Sequence, residues 1–224
     1  LFLGALVVGG AAGLLSLLER PAAKAVGLPL PPSVIPEKRQ RIIMCFGDSL
    51  TTGNPPYFKY MKPSGGTLIN GKGWSGRQIA YITKQALPLV KKANATDVVL
   101  LAGVNNVASG HKPESIIADL QTAWDAFHTA GVTRVISVKL TPWFGYEKFF
   151  GAGKKTAQPY RDATNAVNAY IDARSGQPGG PEAKVETSSL GDSNGALLKE
   201  YSAGGLHMNA AGRQALAALV AKVL

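Results

Sequence analysis

The sequence predicts an α/β protein, a three-layer α/β/α sandwich with a parallel sheet, and three observations carry that reading. Short continuous apolar runs recur at residues 41–46, 97–103 and 134–140. Segments of helical periodicity separate them, and strands that alternate with helices are joined by crossovers that leave them parallel and covered on both faces. The chain has 224 residues, 46% hydrophobic and 17% charged, which supports one packed domain and excludes a disordered or low-complexity chain.

The elements follow in order. RIIMCF (41–46) reads as a buried strand. A helix is expected over residues 74–93, where Ile79, Ile82, Ala86 and Val90 share one face. DVVLLAG (97–103) is a second apolar strand. Pro113 to Ala130 reads as a helix, with proline in its first turn and Gly131 as its stop. RVISVKL (134–140) is a third strand, Thr156 to Arg174 a helix, KVET (184–187) a short edge strand, and Asn209 to Leu224 a final helix. No internal repeat is visible.

Ahead of these elements, residues 1–25 read as a hydrophobic anchor or signal-like helix and residues 26–40, with four prolines, as an extended linker. LFLGALVVGGAAGLLSLL (1–18) is uncharged and long enough to be a membrane-span candidate. It fits the core of an export signal, since Ala23-Lys24-Ala25 offers a small-x-small cleavage pattern, or an anchor flanked by Arg20 and Lys24, or a buried helix of a larger assembly. The expectation is an exported or membrane-anchored protein of the cell envelope or extracellular space.

Composition removes several functions. One cysteine, Cys45, excludes an internal disulfide framework and a cysteine-based zinc cluster, and three histidines leave little room for a metal site. No metal or organic cofactor is expected. The net charge of +10 is spread along the chain without an arginine-rich arm, so no nucleic-acid partner is expected, although acidic polymers would be attracted.

Ligands of open parallel sheets bind beyond the carboxyl ends of the strands. Phe46-Gly47-Asp48-Ser49-Leu50-Thr51-Thr52-Gly53 follows the first strand. Asn70-Gly71-Lys72-Gly73-Trp74-Ser75-Gly76 precedes the next helix, Gly103-Val104-Asn105-Asn106 follows the second strand, and Gly205-Leu206-His207-Met208-Asn209 leads into the last helix. One rim thus receives a serine, a glycine N–H, an asparagine amide and a histidine.

With these four blocks in order, residues 41–224 resemble the SGNH hydrolases, also called the GDSL esterase/lipase family. The resemblance implies the flavodoxin-like SGNH hydrolase fold. It also implies Ser49 as nucleophile, His207 as base, and an oxyanion hole made by the N–H groups of Ser49 and Gly76 with the Asn105 amide. The aspartate that usually follows this asparagine is Asn106 here. The family's aspartate three residues before the histidine is Gly204 here. The carboxylate of Glu200 or Asp192, or a backbone carbonyl, is then expected to orient the imidazole.

The chemistry implied is ester hydrolysis. Among substrates, acyl groups on a cell-envelope or capsular carbohydrate lead, since deacetylation of glycans recurs in the family. Lipid or short-chain esters are the alternative. A catalytically degenerate domain that binds glycan or serves an assembly is a third reading. Residues 1–18 are the candidate membrane contact. Thr141 to Tyr160, rich in aromatics and lysine, should overhang the site, either with its rings offered to sugars or acyl chains and Lys148, Lys154 and Lys155 to an anionic polymer, or as an ordinary surface loop with buried aromatics. Single residues also have plainer roles. Ser49 fits a helix cap, His128 a structural contact, His111 a solvated loop, Cys45 the core, and Asp48 structural hydrogen bonds. Gly191-Asp192-Ser193-Asn194-Gly195 fits a nucleophile elbow but lacks a strong preceding strand, and reads as a loop. GTLINGKG (66–73) resembles a phosphate loop without its final hydroxyl residue, and is rejected as a nucleotide site.

Overall fold

The computed structural model describes residues 40–62 and 66–224. The apolar segment 1–25 and all of the linker 26–40 except Gln40 lie outside the described residues. Among the described residues, no helix is long and apolar enough to cross a membrane.

Five parallel strands form the central sheet: β1 (Ile42–Gly47), β2 (Leu68–Gly73), β3 (Asp97–Leu101), β4 (Arg134–Val138) and β5 (Ala183–Val185), in the order β2-β1-β3-β4-β5. The three-layer α/β/α architecture is as expected. β1, β3 and β4 are the apolar runs, and their burial explains why they lack a polar face. α2 (Ile79–Ala93), α4 (Pro113–Thr129) and α6 (Gln158–Arg174) line up on one side, α2 against α4 and α4 against α6. α7 (Ala210–Ala221) packs with the 3-10 turn Tyr57–Tyr60. Leu120, Trp124 and Phe127 of α4 are fully enclosed, and Phe127 stacks on Phe46 of β1 at 6.4 Å. Loss of one such ring costs about 3–5 kcal/mol.

Two expectations change. β2 arises from LINGKG, where the sequence pattern predicts no strand. It is an edge strand with every residue at least partly exposed, so it has no apolar run to reveal it. Its glycines are required, because a Cβ at Gly71 would strike the Cys45 carbonyl oxygen and one at Gly73 the Asp48 carbonyl oxygen. The helix expected from residue 74 begins at Ile79, because Trp74 to Arg77 form a turn closed by the Arg77 N–H donating to the Trp74 carbonyl at 3.2 Å. Gly76, third in that turn, has φ +70°, which glycine adopts freely.

The amino ends of the strands are held by charge. Asp97 is buried and bound by Arg41 at 2.6 Å, and by the neighbouring Thr96 hydroxyl. Arg41 and Arg134 both donate to the Leu224 carbonyl and so fasten the end of α7 under the sheet. Cys45 is enclosed in β1 beside the Tyr57 hydroxyl, and burial pushes its thiol up to about 12. At the opposite, carboxyl end of the sheet, the loops carry the candidate site residues.

Of the two readings of the aromatic segment after β4, rings offered to a ligand or rings buried in a surface loop, the structure shows the second, and the rings close on one another. Trp143 is 1% exposed and packs against Phe144, Phe149, Phe150 and Tyr160 at 5.0–6.2 Å. Burying five rings together stabilises this loop more than exposing them would. Two of its lysines are engaged as well, with Lys155 over the Phe149 and Tyr160 rings and the Lys154 ammonium donating to the Lys148 carbonyl.

Candidate active site

The site begins at the tip of β1. Gly47 leaves room there for the Leu101 carbonyl and the Thr51 hydroxyl, which a Cβ would overlap. Asp48 caps the short helix α1 (Ser49–Thr52) by accepting the Leu50 N–H at 3.0 Å, which makes Ser49 the first residue of that helix. Asp48 is fully buried and its second oxygen has no partner, so desolvation pushes its carboxyl up to about 7 against the opposing pull of the Leu50 N–H.

His207 arrives on a small hairpin, β6 (Ser202–Ala203) paired antiparallel with β7 (His207–Met208). Gly204 and Gly205 turn the chain with φ of +83° and +86°, and the Gly205 N–H donates to the Ser202 hydroxyl at 2.8 Å. Asn209 braces the far side, accepting the Gly212 N–H at 3.0 Å as the cap of α7 while its amide donates to the Glu200 carbonyl at 2.8 Å. This scaffold sets the imidazole Nε2 at 3.0 Å from the Ser49 hydroxyl oxygen. Partial burial lowers the pKa of the ring from the usual histidine value, which favours the neutral form that can accept a proton.

The loop after β2 is joined to the same rim by the Trp74 N–H, which donates to the Gly47 carbonyl at 2.9 Å. Gly76 lies in this loop, and among the described residues no atom stands within 4 Å of where a Cβ would be and its N–H donates to no other backbone group. α3 (Val104–Ala108) carries Asn105 in its first turn. The Asn105 amide donates to the Arg77 carbonyl at 3.1 Å, next to Gly76, and an amide nitrogen has a second hydrogen to offer. The structure thus brings Ser49 to His207 and links the Gly76 loop to Asn105 at the carboxyl edge of the sheet.

Asn106, which stands where the motif usually has aspartate, is fully buried and structural. Its oxygen accepts the Ile79 N–H at 3.1 Å, capping α2 from outside, and its amide donates to Asp119 at 3.1 Å. An acceptor facing a helix N-terminus and a donor facing a carboxylate together require an amide. Asp119 gave no sign of this role in the sequence, because on α4 it reads as an ordinary surface acid.

The groups proposed to orient the imidazole are elsewhere. Asp192 accepts the Asn194 and Ala196 N–H groups at 2.8 and 3.0 Å and so folds its own turn, which is the loop expected for residues 191–195. Glu200 meets the hairpin only through its main-chain carbonyl, which accepts from Asn209. Among the described residues His207 bonds Ser49 alone, and its Nδ1 has no partner. Of the other histidines, His128 pairs with Glu182 at 3.1 Å, whereas His111, expected to be solvated, lies 3.2 Å from the Gln78 amide. Among the described residues no group of His, Cys, Asp and Glu is arranged to hold a metal ion.

The model of the GDSL-like lipase/acylhydrolase family matches residues 45–215. A search of curated proteins finds no match. Among solved structures, a GDSL-like lipase from Bacteroides thetaiotaomicron VPI-5482 is 20% identical, with a TM-score of 0.64 over 84% of this chain and 89% of that one. A lipase/acylhydrolase from Enterococcus faecalis is 18% identical, with a TM-score of 0.59 over 82% and 95%. The acetyl xylan esterase AlAXEase is 16% identical, with a TM-score of 0.61 over 82% and 99%. At such identities the likeness is one of fold.

Proposed function

The chain belongs to the GDSL-like lipase/acylhydrolase family, and from that premise we propose that it is a serine esterase that removes O-acetyl or other acyl groups from a carbohydrate. The observation that carries this reading is the 3.0 Å contact between Ser49 Oγ and His207 Nε2. That distance lets the imidazole accept the hydroxyl proton as the oxygen attacks the ester carbonyl, and later return it to the leaving alcohol. The Ser49 and Gly76 N–H groups and the free hydrogen of the Asn105 amide would receive the carbonyl oxygen as it becomes negative. Preorganised donors of this kind contribute about 3 kcal/mol each. Water then attacks the acyl-serine and frees the acid.

An acetyl xylan esterase among the structural neighbours supports the carbohydrate substrate, and the uncharged apolar run at residues 1–18 supports export to, or anchoring at, the cell envelope. A second reading, a catalytically silent glycan-binding domain, is favoured by one observation, the absence of a partner for His207 Nδ1 among the described residues. A fluorophosphonate label separates the two. The esterase is labelled at Ser49 and releases acetate from acetylated polysaccharide, and Ser49→Ala loses both. A folded wild-type protein that takes up no label and releases no acetate overturns the esterase reading.

A further inference from the structure

Two clefts flank the turn at Asp192, one of them beside the hairpin that carries His207. One, of about 560 Å³, is lined by Ser202, Gly204 and Gly205 of the hairpin and by Glu147, Lys148 and Lys199. The other, of about 490 Å³, lies between the segments that follow β4 and β5 and the flank of α6. Asp192 lines both. The second cleft begins where β4 and β5 end, so it lies on the same carboxyl rim as Ser49 and His207. Each has the volume of an ordinary small-molecule site.

Their chemistry differs from that of the whole molecule. The chain carries a net charge of +10, yet the lining is balanced. In the second cleft Lys139 is paired with Asp172 at 2.8 Å and with Glu186 at 3.0 Å. Arg161 there lies over the Phe144 ring at 4.2 Å. With Lys148 and Lys199 beside the hairpin, the lining holds these four cations and four carboxylates, Asp172, Glu186, Glu147 and Asp192, and Lys184, just outside it, also binds Asp172 and Glu186. Between them stand uncharged donors and acceptors, the exposed side chains of Asn165, Ser188 and Ser193. A lining of nearly balanced charges with an exposed amide and exposed hydroxyls suits sugar hydroxyls, which both donate and accept, and gives a polyanion little net attraction.

We infer that the two clefts form one groove for several consecutive sugars, and that the polymer it takes is a neutral acylated polysaccharide. This rests on the esterase reading and narrows its substrate, replacing the anionic polymer suggested by Lys148, Lys154 and Lys155.

The test uses the full chain carrying Ser49→Ala, titrated calorimetrically with O-acetylated xylo-oligosaccharides of two and six residues and with an acetylated oligogalacturonide of six. The xylohexaose should bind about tenfold more tightly than the xylobiose, the worth of one or two added hydrogen bonds. It should also bind at least as tightly as the oligogalacturonide. Asn165→Trp, added to the same protein, should fill the second cleft and remove the advantage of length. If its thermal melting shows a disturbed fold, Asn165→Ala serves instead and should reduce that advantage. Equal affinity for the two lengths, preference for the oligogalacturonide, or no binding of any of the three would overturn the groove. Acetate release by wild type, measured separately, keeps the two readings apart. Release without dependence on length defeats the groove alone, and binding without release defeats the esterase alone.

Discussion

Gly205 lies flat against the main-chain carbonyl of Gly145, with no room between them for a side chain. The contact fixes the hairpin of His207 against the loop that follows β4, and it sets apart two adjacent glycines. A Cβ at Gly205 would overlap the Gly145 carbonyl oxygen, whereas one at Gly204 has nothing within 4 Å.

Gly205→Ala should therefore displace the hairpin and draw the imidazole away from Ser49. A misplacement of about 1 Å can cost about a hundredfold in rate, and kcat on para-nitrophenyl acetate should fall at least about tenfold. Gly204→Ala should cost about 1 kcal/mol in thermal stability through its positive φ and change kcat little. Equal kcat values for the two variants would show that the 205–145 contact does not position the base.

The pH profile follows from the environment of His207. Burial lowers its pKa, and no described carboxylate faces Nδ1 to raise it. The neutral ring is the competent base, so kcat/KM should climb with pH and level off, its acid limb lying below the ordinary histidine value. An acid limb above that value would reveal an anionic partner for the ring.

Asp48 predicts a stability effect of opposite sign to that of most carboxylates. Its folded pKa of about 7 lies above the ordinary value of 3.8. Its contribution is therefore fully present below pH 3.8 and is lost as pH rises through about 7. The difference corresponds to at most about 4 kcal/mol. Asn at this position keeps an acceptor for the Leu50 N–H and cannot ionise. Between pH 4 and 8, urea unfolding of Asp48→Asn should gain stability relative to wild type as pH rises. A constant difference between the two proteins would contradict the buried carboxyl.

Restoring the aspartate usual in the motif should harm this protein. Asn106→Asp would place a carboxylate where the Asn106 amide now donates to Asp119 at 3.1 Å, in a fully buried position. The expected loss is about 2–4 kcal/mol at neutral pH, since two like charges would share one site and the donor would be gone. Part of it should return in acid as one carboxyl takes up a proton. Chemical denaturation at two pH values measures both effects.

β1, β3 and β4 were legible because a strand buried on both faces is apolar along most of its length. β2 was not, because an edge strand half in water needs no apolar run and its glycines answer to neighbouring carbonyls. α3 was too short for its periodicity to register. Ser49, Gly76, Asn105 and His207 could be picked out because each follows a recognisable strand or opens a helix in motif order. The distance between Ser49 and His207, and the orientation of the imidazole, depend on a hairpin made of two short strands. They also depend on contacts such as Gly205 with Gly145, between residues 60 apart, which local patterning does not encode. The inward collapse of the aromatic loop around Trp143 was hidden for the same reason, since rings that pack on one another and rings that await a ligand have the same composition.

Cys45 has a practical consequence. Its sulfur is sealed in the sheet and stays protonated at physiological pH, so alkylating reagents and air will not modify it while the fold is intact. A maleimide dye or spin probe can therefore be attached at a newly introduced surface cysteine without first removing the native one, leaving a single reporter on an otherwise unaltered chain.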